Sequence, residues 1–135
     1  MSDSRQAKKI LIVEDEPDVA SYLEMLLNDG GYETIIAVNG NDGLEKLEQE
    51  KPDLVTLDIT MPESSGTRFY KTVKADAELS ATPVVIVTAV TGYGGDPYGY
   101  KKFLSQLKNV PEPEGFFPKP IDREALLAKV DELLA

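Results

Sequence analysis

Short apolar runs alternate with segments of helical periodicity along this chain. Residues 10–13 form a continuous run of branched aliphatic side chains, which is typical of a strand buried on both faces of a sheet. Residues 34–38 and 53–58 predict a second and a third strand. Residues 84–87 and 116–117 predict a fourth and a fifth strand in the same way. Between the strands, apolar residues recur every three or four positions, which predicts amphipathic helices. The chain therefore predicts five repeats of strand followed by helix.

Proline, glycine and capping residues mark the ends of the predicted helices. Pro17 suits the first turn of the first helix, and Gly30–Gly31 follow its last apolar residues. Asn39–Gly40 predict a turn before a short second helix, and Pro52 ends that segment. Asp122 is a predicted N-cap for the last helix.

The alternation of strands and helices predicts an α/β fold with a five-stranded parallel sheet. Because parallel crossovers are right-handed, helices are expected on both faces, in a doubly wound, flavodoxin-like arrangement. Residues 9–135 are predicted to form one domain, and residues 1–8 a disordered N-terminal segment. Residues 91–115 fit the repeat less clearly, since glycines there predict a flexible loop before a short helix.

Composition excludes several kinds of chemistry. The 135 residues contain no Cys and no His, so disulfides, thiolate nucleophiles and imidazole bases are excluded. The formal net charge of −10, from 24 acidic and 14 basic residues, argues against direct binding to nucleic acid or to an anionic membrane. No apolar run approaches the roughly 20 residues that span a bilayer. The sequence thus predicts a cytoplasmic protein whose chemistry uses carboxylates, hydroxyls and amines.

Acidic residues follow two of the predicted strands. Glu14, Asp15 and Glu16 come after the first strand, and Asp58 ends the third. In open parallel sheets the carboxyl ends of the strands meet at one edge, where adjacent carboxylates repel unless a proton or a cation neutralises them. An all-oxygen site with few carboxylates suits Mg²⁺. The alternative for the triplet, acids that stabilise the amino end of the first helix, stays open.

Two further polar residues end the later strands. Thr88 closes the fourth strand and Lys119 follows the fifth, and each taken alone fits an ordinary strand or surface residue. Together with the carboxylate of Asp58 they favour a site for a transferring phosphoryl group. An ammonium and a cation would offset the charge on the phosphoryl oxygens while the carboxylate attacks phosphorus.

Four segments, ILIVEDEP, LVTLDITMPESSG, VVIVTA and FFPKP, resemble the receiver domain of a two-component response regulator of the stand-alone type. The resemblance implies that Asp58 is the phosphate-accepting nucleophile. It also implies that Mg²⁺ is held by Glu14, Asp15, Asp58 and the backbone carbonyl of Thr60, with Asp15 as a direct ligand.

The same resemblance assigns roles to residues near the chain's end. Thr88 would bind a phosphoryl oxygen and move with it, Lys119 would pair with the phosphoryl group, and Phe116 matches an aromatic switch position. A cis bond before Pro120 is expected to aim the lysine. The implied function is a phosphorelay: a sensor histidine kinase or a phosphotransfer protein phosphorylates Asp58, and the change in surface alters contact with a downstream protein target that the sequence does not name.

The stretch between Thr88 and Lys119 is longer than is usual in the family, and its TGYGGDPYGY segment has no counterpart in the motif. One hypothesis is a remodelled partner face that uses one or more of its tyrosines; the alternative is a mobile loop without consequence. The apolar Val90 predicts slow hydrolysis of the phosphorylated form.

Three other functions remain as alternatives. A haloacid-dehalogenase type of enzyme needs an acid two residues after the nucleophile, where this chain has Thr60. A flavin or nucleotide module needs a first loop of glycines and hydroxyls, not the acids of residues 14–16. A degenerate receiver that is never phosphorylated is disfavoured by the complete residue set. Since no effector segment is evident after the last helix, output through protein contact is expected, unless the chain is one piece of a longer protein.

Overall fold

The computed structural model describes residues 8–59, 65–89, 107, 110–119 and 121–135. Within these residues the chain forms five β-strands and four α-helices. The strands are β1 (Lys9–Val13), β2 (Glu33–Ala37), β3 (Leu54–Leu57), β4 (Val84–Ala89) and β5 (Gly115–Lys119). The helices are α1 (Pro17–Asp29), α2 (Gly40–Glu50), α3 (Ser65–Ala75) and α4 (Arg123–Leu133), and a 3₁₀ turn at Leu79–Ala81 follows α3.

The five strands form one parallel sheet in the order β2-β1-β3-β4-β5. This arrangement confirms the predicted doubly wound α/β fold. Alternate residues of the central strands pack into two hydrophobic cores, one under α2 and α3 and the other under α1 and α4. Burial on both faces explains why β1 is apolar from Ile10 to Val13 and why β3 has Thr56 as its one polar residue.

Several element ends differ from the sequence prediction. Asn39 does not simply turn the chain; its side-chain oxygen accepts a hydrogen bond from the Asp42 amide at 2.8 Å and so caps α2, which begins at Gly40. Strand β2 ends one residue earlier than predicted, and Val38 is left 55% exposed. Asp122 caps the last helix as predicted, accepting from the Ala125 amide at 3.1 Å.

Some predictions fall outside the described residues. These are most of the N-terminal segment predicted to be disordered, the loop residue Thr60, Pro120 with its predicted cis bond, and the tyrosine-containing segment after Ala89. The predicted domain limits therefore stay a prediction. Among the residues that the structure does describe, no helix combines the length and apolar character needed to cross a membrane.

The side chain of Lys74, near the end of α3, is only 2% exposed. Its ammonium donates to the backbone carbonyls of Ser80 at 3.2 Å and Thr82 at 3.1 Å, and lies 3.5 Å from the carboxylate of Glu114. The other oxygen of that carboxylate accepts from the Val84 amide at 2.8 Å. This Lys74–Glu114 pair therefore joins the end of α3 to the first residue of β4 and to the residue just before β5.

Helices α1 and α4 are joined by polar contacts at their solvent edge. Arg123 of α4 lies 3.2 Å from the carboxylate of Asp29 at the end of α1. The hydroxyl of Tyr32 donates a hydrogen bond to the Asp131 carboxylate. Burial, and next the hydrogen bond and the negative charge of Asp131, raise the pKa of Tyr32 to about 12 from 10.0.

Replacing Tyr32 by Phe is expected to reduce the decrease in the free energy of unfolding at alkaline pH. Because the folded-state pKa is raised, the contribution of the neutral phenol is fully present below pH 10 and is lost as the pH rises to about 12. Denaturant unfolding between these pH values should show a steeper decline in the wild type than in Tyr32→Phe. Tyr22→Phe, at the exposed tyrosine of α1, is the matched control and should decline like the wild type. Parallel declines in wild type and Tyr32→Phe would contradict the prediction.

Candidate functional site

Two buried acids stand where the central strands end. Glu14 follows β1 and Asp58 follows β3. Their amides continue the sheet ladder, since Glu14 N–H donates to the carbonyl of Ala37 and Asp58 N–H donates to that of Val13, both at 3.0 Å. The strands therefore fix the backbone at both acids, and the parallel topology brings them to one edge, as the sequence predicts.

The carboxylates of Glu14, Glu16 and Asp58 form one group, in which one oxygen atom from each lies within 4.8 Å of the other two. Glu14 and Asp58 are each only 2% exposed, whereas Glu16 is exposed. The Glu16 amide donates to the carboxylate of Glu14 at 3.2 Å. Three carboxylates this close repel, and a hard cation bound by oxygen ligands relieves the repulsion. This donor set fits Mg²⁺.

The structure places Asp15 and Glu16 differently with respect to Asp58, and the predicted role of Asp15 as a direct metal ligand stays a prediction. Asp15 is exposed and is not a member of the carboxylate group, whereas Glu16 is. Glu16 is the N-cap residue of α1, but its side chain makes no capping hydrogen bond. One sequence feature could have indicated this: Pro17 fixes the start of the helix, and glutamate is not among the favoured capping residues. The side chain of Glu16 therefore does not cap α1, and it lies in the carboxylate group instead.

The remaining predicted site residues lie on β4 and β5. Thr88 pairs with Pro118 and Lys119 pairs with Ala89 in the strand register, so the backbone carries both to the same sheet edge as Asp58. Phe116 is half-buried and packs against the core under α2 and α3. Thr60, the predicted source of a backbone ligand, lies outside the described residues.

Comparison with known protein families identifies the family of this chain. The family model described as "Response regulator receiver domain" matches residues 10–131. The chain is a response regulator receiver domain. Family membership gives it a place in two-component signalling, implies a histidine kinase as partner, and makes it a member of a family that typically accepts phosphate rather than acting as an enzyme. The dehalogenase and nucleotide-module alternatives are therefore set aside.

Named relatives and solved structures agree with the receiver assignment. The receiver is 35% identical over 127 residues to protein PilH of Pseudomonas aeruginosa, covering 94% of this chain and 98% of PilH. It is also 35% identical over 127 residues to protein Rrf1 of Nitratidesulfovibrio vulgaris, covering 94% and 83% of the two chains. A signal receiver domain of a histidine kinase from Syntrophus aciditrophicus superposes with a TM-score of 0.77 at 29% identity, covering 95% and 90%.

Proposed function

We propose that this receiver accepts a phosphoryl group on Asp58 from a histidine kinase or a phosphotransfer protein, in the presence of Mg²⁺. The observation that carries the proposal is the position of Asp58. It is a nearly fully buried carboxylate at the carboxyl edge of the sheet, grouped with Glu14 and Glu16 in a chain of the receiver family. A buried acid among other acids is costly to keep unless it is paired, hydrogen-bonded or neutralised by a cation, and such groups are concentrated at functional sites.

The proposed reaction forms one oxygen–phosphorus bond and breaks one nitrogen–phosphorus bond. A carboxylate oxygen of Asp58 attacks the phosphorus of a phosphohistidine in line, and the imidazole leaves with the bonding electron pair. The product is an acyl phosphate, which water later hydrolyses to return the carboxylate. Since the chain has no His, the phosphohistidine belongs to the partner. The protein's own reactions are then phosphorylation of Asp58 from donors and hydrolysis of the phosphorylated form.

Mg²⁺ would be held by Glu14 and Asp58, with Asp15 or Glu16 and the backbone carbonyl of Thr60 completing the protein ligands. When bound, it supplies positive charge that offsets the charge of the phosphoryl oxygens. The repulsion within the carboxylate group favours this assignment, because oxygen ligands and few carboxylates are the donor set of Mg²⁺.

Phosphorylation is proposed to switch a protein-binding surface. Thr88 would bind the new phosphoryl group and Lys119 would pair with it, and the shift of Thr88 would leave room for Phe116 to turn inward. The half-buried position of Phe116 beside the core supports this role, since its ring has part of its surface still to bury. The downstream target is a protein of unknown identity, and the cytoplasmic location stays a prediction.

Intact mass spectrometry tests the proposal. Wild type incubated with a small acyl-phosphate donor is expected to gain the mass of one phosphate only when Mg²⁺ is present. Asp58→Asn should gain none. Asp53→Asn is the matched control, because that aspartate lies at the opposite end of β3, where it accepts from the Lys9 amide, and it should be labelled like the wild type. Labelling of Asp58→Asn, or no labelling of the wild type with any donor, would contradict the proposal; the second result favours a degenerate receiver.

A further inference from the structure

Gly66, the second residue of α3, lies against the backbone of the proposed phosphate acceptor. A Cβ atom at this position would lie 2.4 Å from the carbonyl oxygen of Asp58 and 2.9 Å from Cα of Ile59. Both distances are far inside van der Waals contact. Because the opposing atoms are backbone atoms rather than the ends of flexible side chains, a Cβ could be accommodated only if the helix or the residue at position 58 moved.

The backbone conformation does not by itself require glycine at position 66. Among the described residues, the glycine with a positive φ is Gly31, at 95°. Alanine also favours a helix more than glycine does. The missing side chain at position 66 is therefore explained by the close approach of α3 to Asp58.

Gly43 in α2 provides a contrast. A Cβ atom there would lie 2.9 Å from the ring of Phe69 and 3.2 Å from a methyl group of Val13. These neighbours are side-chain atoms of the core. Alanine at position 43 should therefore disturb packing between helices and sheet, whereas alanine at position 66 presses directly on the residue that carries the reactive carboxylate.

We infer that Gly66 is a positioning residue for phosphorylation: by lacking a side chain, it lets the first turn of α3 seat against the carbonyl of Asp58. The amide of Asp58 is held by the carbonyl of Val13 at 3.0 Å. With α3 against its carbonyl, Asp58 is confined on both sides of its peptide backbone. This inference rests on the proposed function, since it concerns the aim of a carboxylate that must attack in line, and a displacement of about 1 Å can cost about 100-fold in rate.

The experiment compares Gly66→Ala with Gly43→Ala. Both are first measured by denaturant unfolding, and phosphate uptake from a small acyl phosphate with Mg²⁺ is then followed under conditions where both variants are folded. Gly66→Ala is expected to lose at least tenfold in the maximal rate, with little change in the donor concentration that gives half of it, because the added Cβ presses on the backbone that aims the Asp58 carboxylate. Gly43→Ala should stay within about threefold of the wild type.

Two results distinguish a failure of the positioning role of Gly66 from a failure of the proposed function. If wild type and Gly43→Ala are labelled and Gly66→Ala, while folded, is labelled as fast as Gly43→Ala, the positioning role is overturned and the proposed function stands. If neither the wild type nor Gly43→Ala takes up phosphate, the proposed function fails and the inference with it.

A measurement on the wild type keeps the inference testable if Gly66→Ala does not fold. Addition of Mg²⁺ alone is expected to shift the NMR resonances of the Gly66 Hα protons together with those of Asp58, and to leave those of Gly43 nearly unchanged. A shift at Asp58 with none at Gly66 would overturn the inference.

Discussion

Asp58→Asn is expected to make the metal-free protein more stable, by about 2 kcal/mol or roughly 5–10 °C in the midpoint of thermal unfolding. One carboxylate oxygen of Asp58 lies within 4.8 Å of a carboxylate oxygen of Glu14 and of Glu16. Two unit charges at that separation repel by roughly 3 kcal/mol at the effective dielectric constant of partly buried sites. Asparagine has nearly the same shape and removes one of these charges.

Thermal unfolding followed by circular dichroism, with EDTA and then with Mg²⁺, measures this effect. Mg²⁺ should raise the midpoint of the wild type more than that of Asp58→Asn, because the variant has less repulsion to relieve. Asp18→Asn is the control, since Asp18 is an exposed acid in the first turn of α1. Its loss should change stability by only a few tenths of a kcal/mol through the helix dipole. A lower midpoint for Asp58→Asn in EDTA would contradict the prediction and show that attraction outweighs repulsion at Asp58.

Lys74→Met is expected to lower the free energy of unfolding by about 3 kcal/mol. The substitution keeps a long, flexible, apolar stem but removes the ammonium. The carbonyls of Ser80 and Thr82 and the carboxylate of Glu114 would each lose a donor in a place where the lysine side chain is only 2% exposed. The Glu114 carboxylate is 34% exposed and can be partly solvated, so the larger part of the loss comes from the two backbone carbonyls that lose a buried donor.

Denaturant unfolding of a small set of variants isolates the Lys74–Glu114 pair. Lys74→Met combined with Glu114→Gln should recover about 1 kcal/mol, since Gln keeps an oxygen to accept from the Val84 amide while removing the unpaired charge. Lys129→Met is the surface control, because its 3.4 Å pair with Glu132 is much more exposed, and it should cost under about 0.5 kcal/mol. Equal losses for Lys74→Met and Lys129→Met would contradict the prediction.

The sheet could be predicted from the sequence because its central strands have almost no polar residues. A strand buried on both faces must be apolar throughout, so β1 and β4 are visible as runs of Ile, Leu and Val. Element ends are set by single contacts that composition does not express. The side chain of Asn39, for example, caps α2, although Asn-Gly is also a common turn sequence.

The acidic edge could be predicted because the residues that follow parallel strands all lie at the same edge of the sheet. The grouping of Glu14 and Glu16 with Asp58 could not, since it depends on where each side chain points as the chain leaves β1 and enters α1. The role of Lys74 was also beyond prediction: it depends on Glu114, forty residues later in the chain. Long-range pairs of this kind become visible only when the fold is known.

The continuation of the strand ladder into Glu14 and Asp58 has a dynamic consequence. Because their amides are bonded to Ala37 and Val13, these two acids sit at the end of the sheet's own backbone network rather than on a free loop. Their amide hydrogens should exchange with solvent only when the backbone hydrogen bonds of the neighbouring strands open locally. Much of the conformational entropy of ordering the acidic edge is thus lost when the chain folds, before any cation or phosphate arrives.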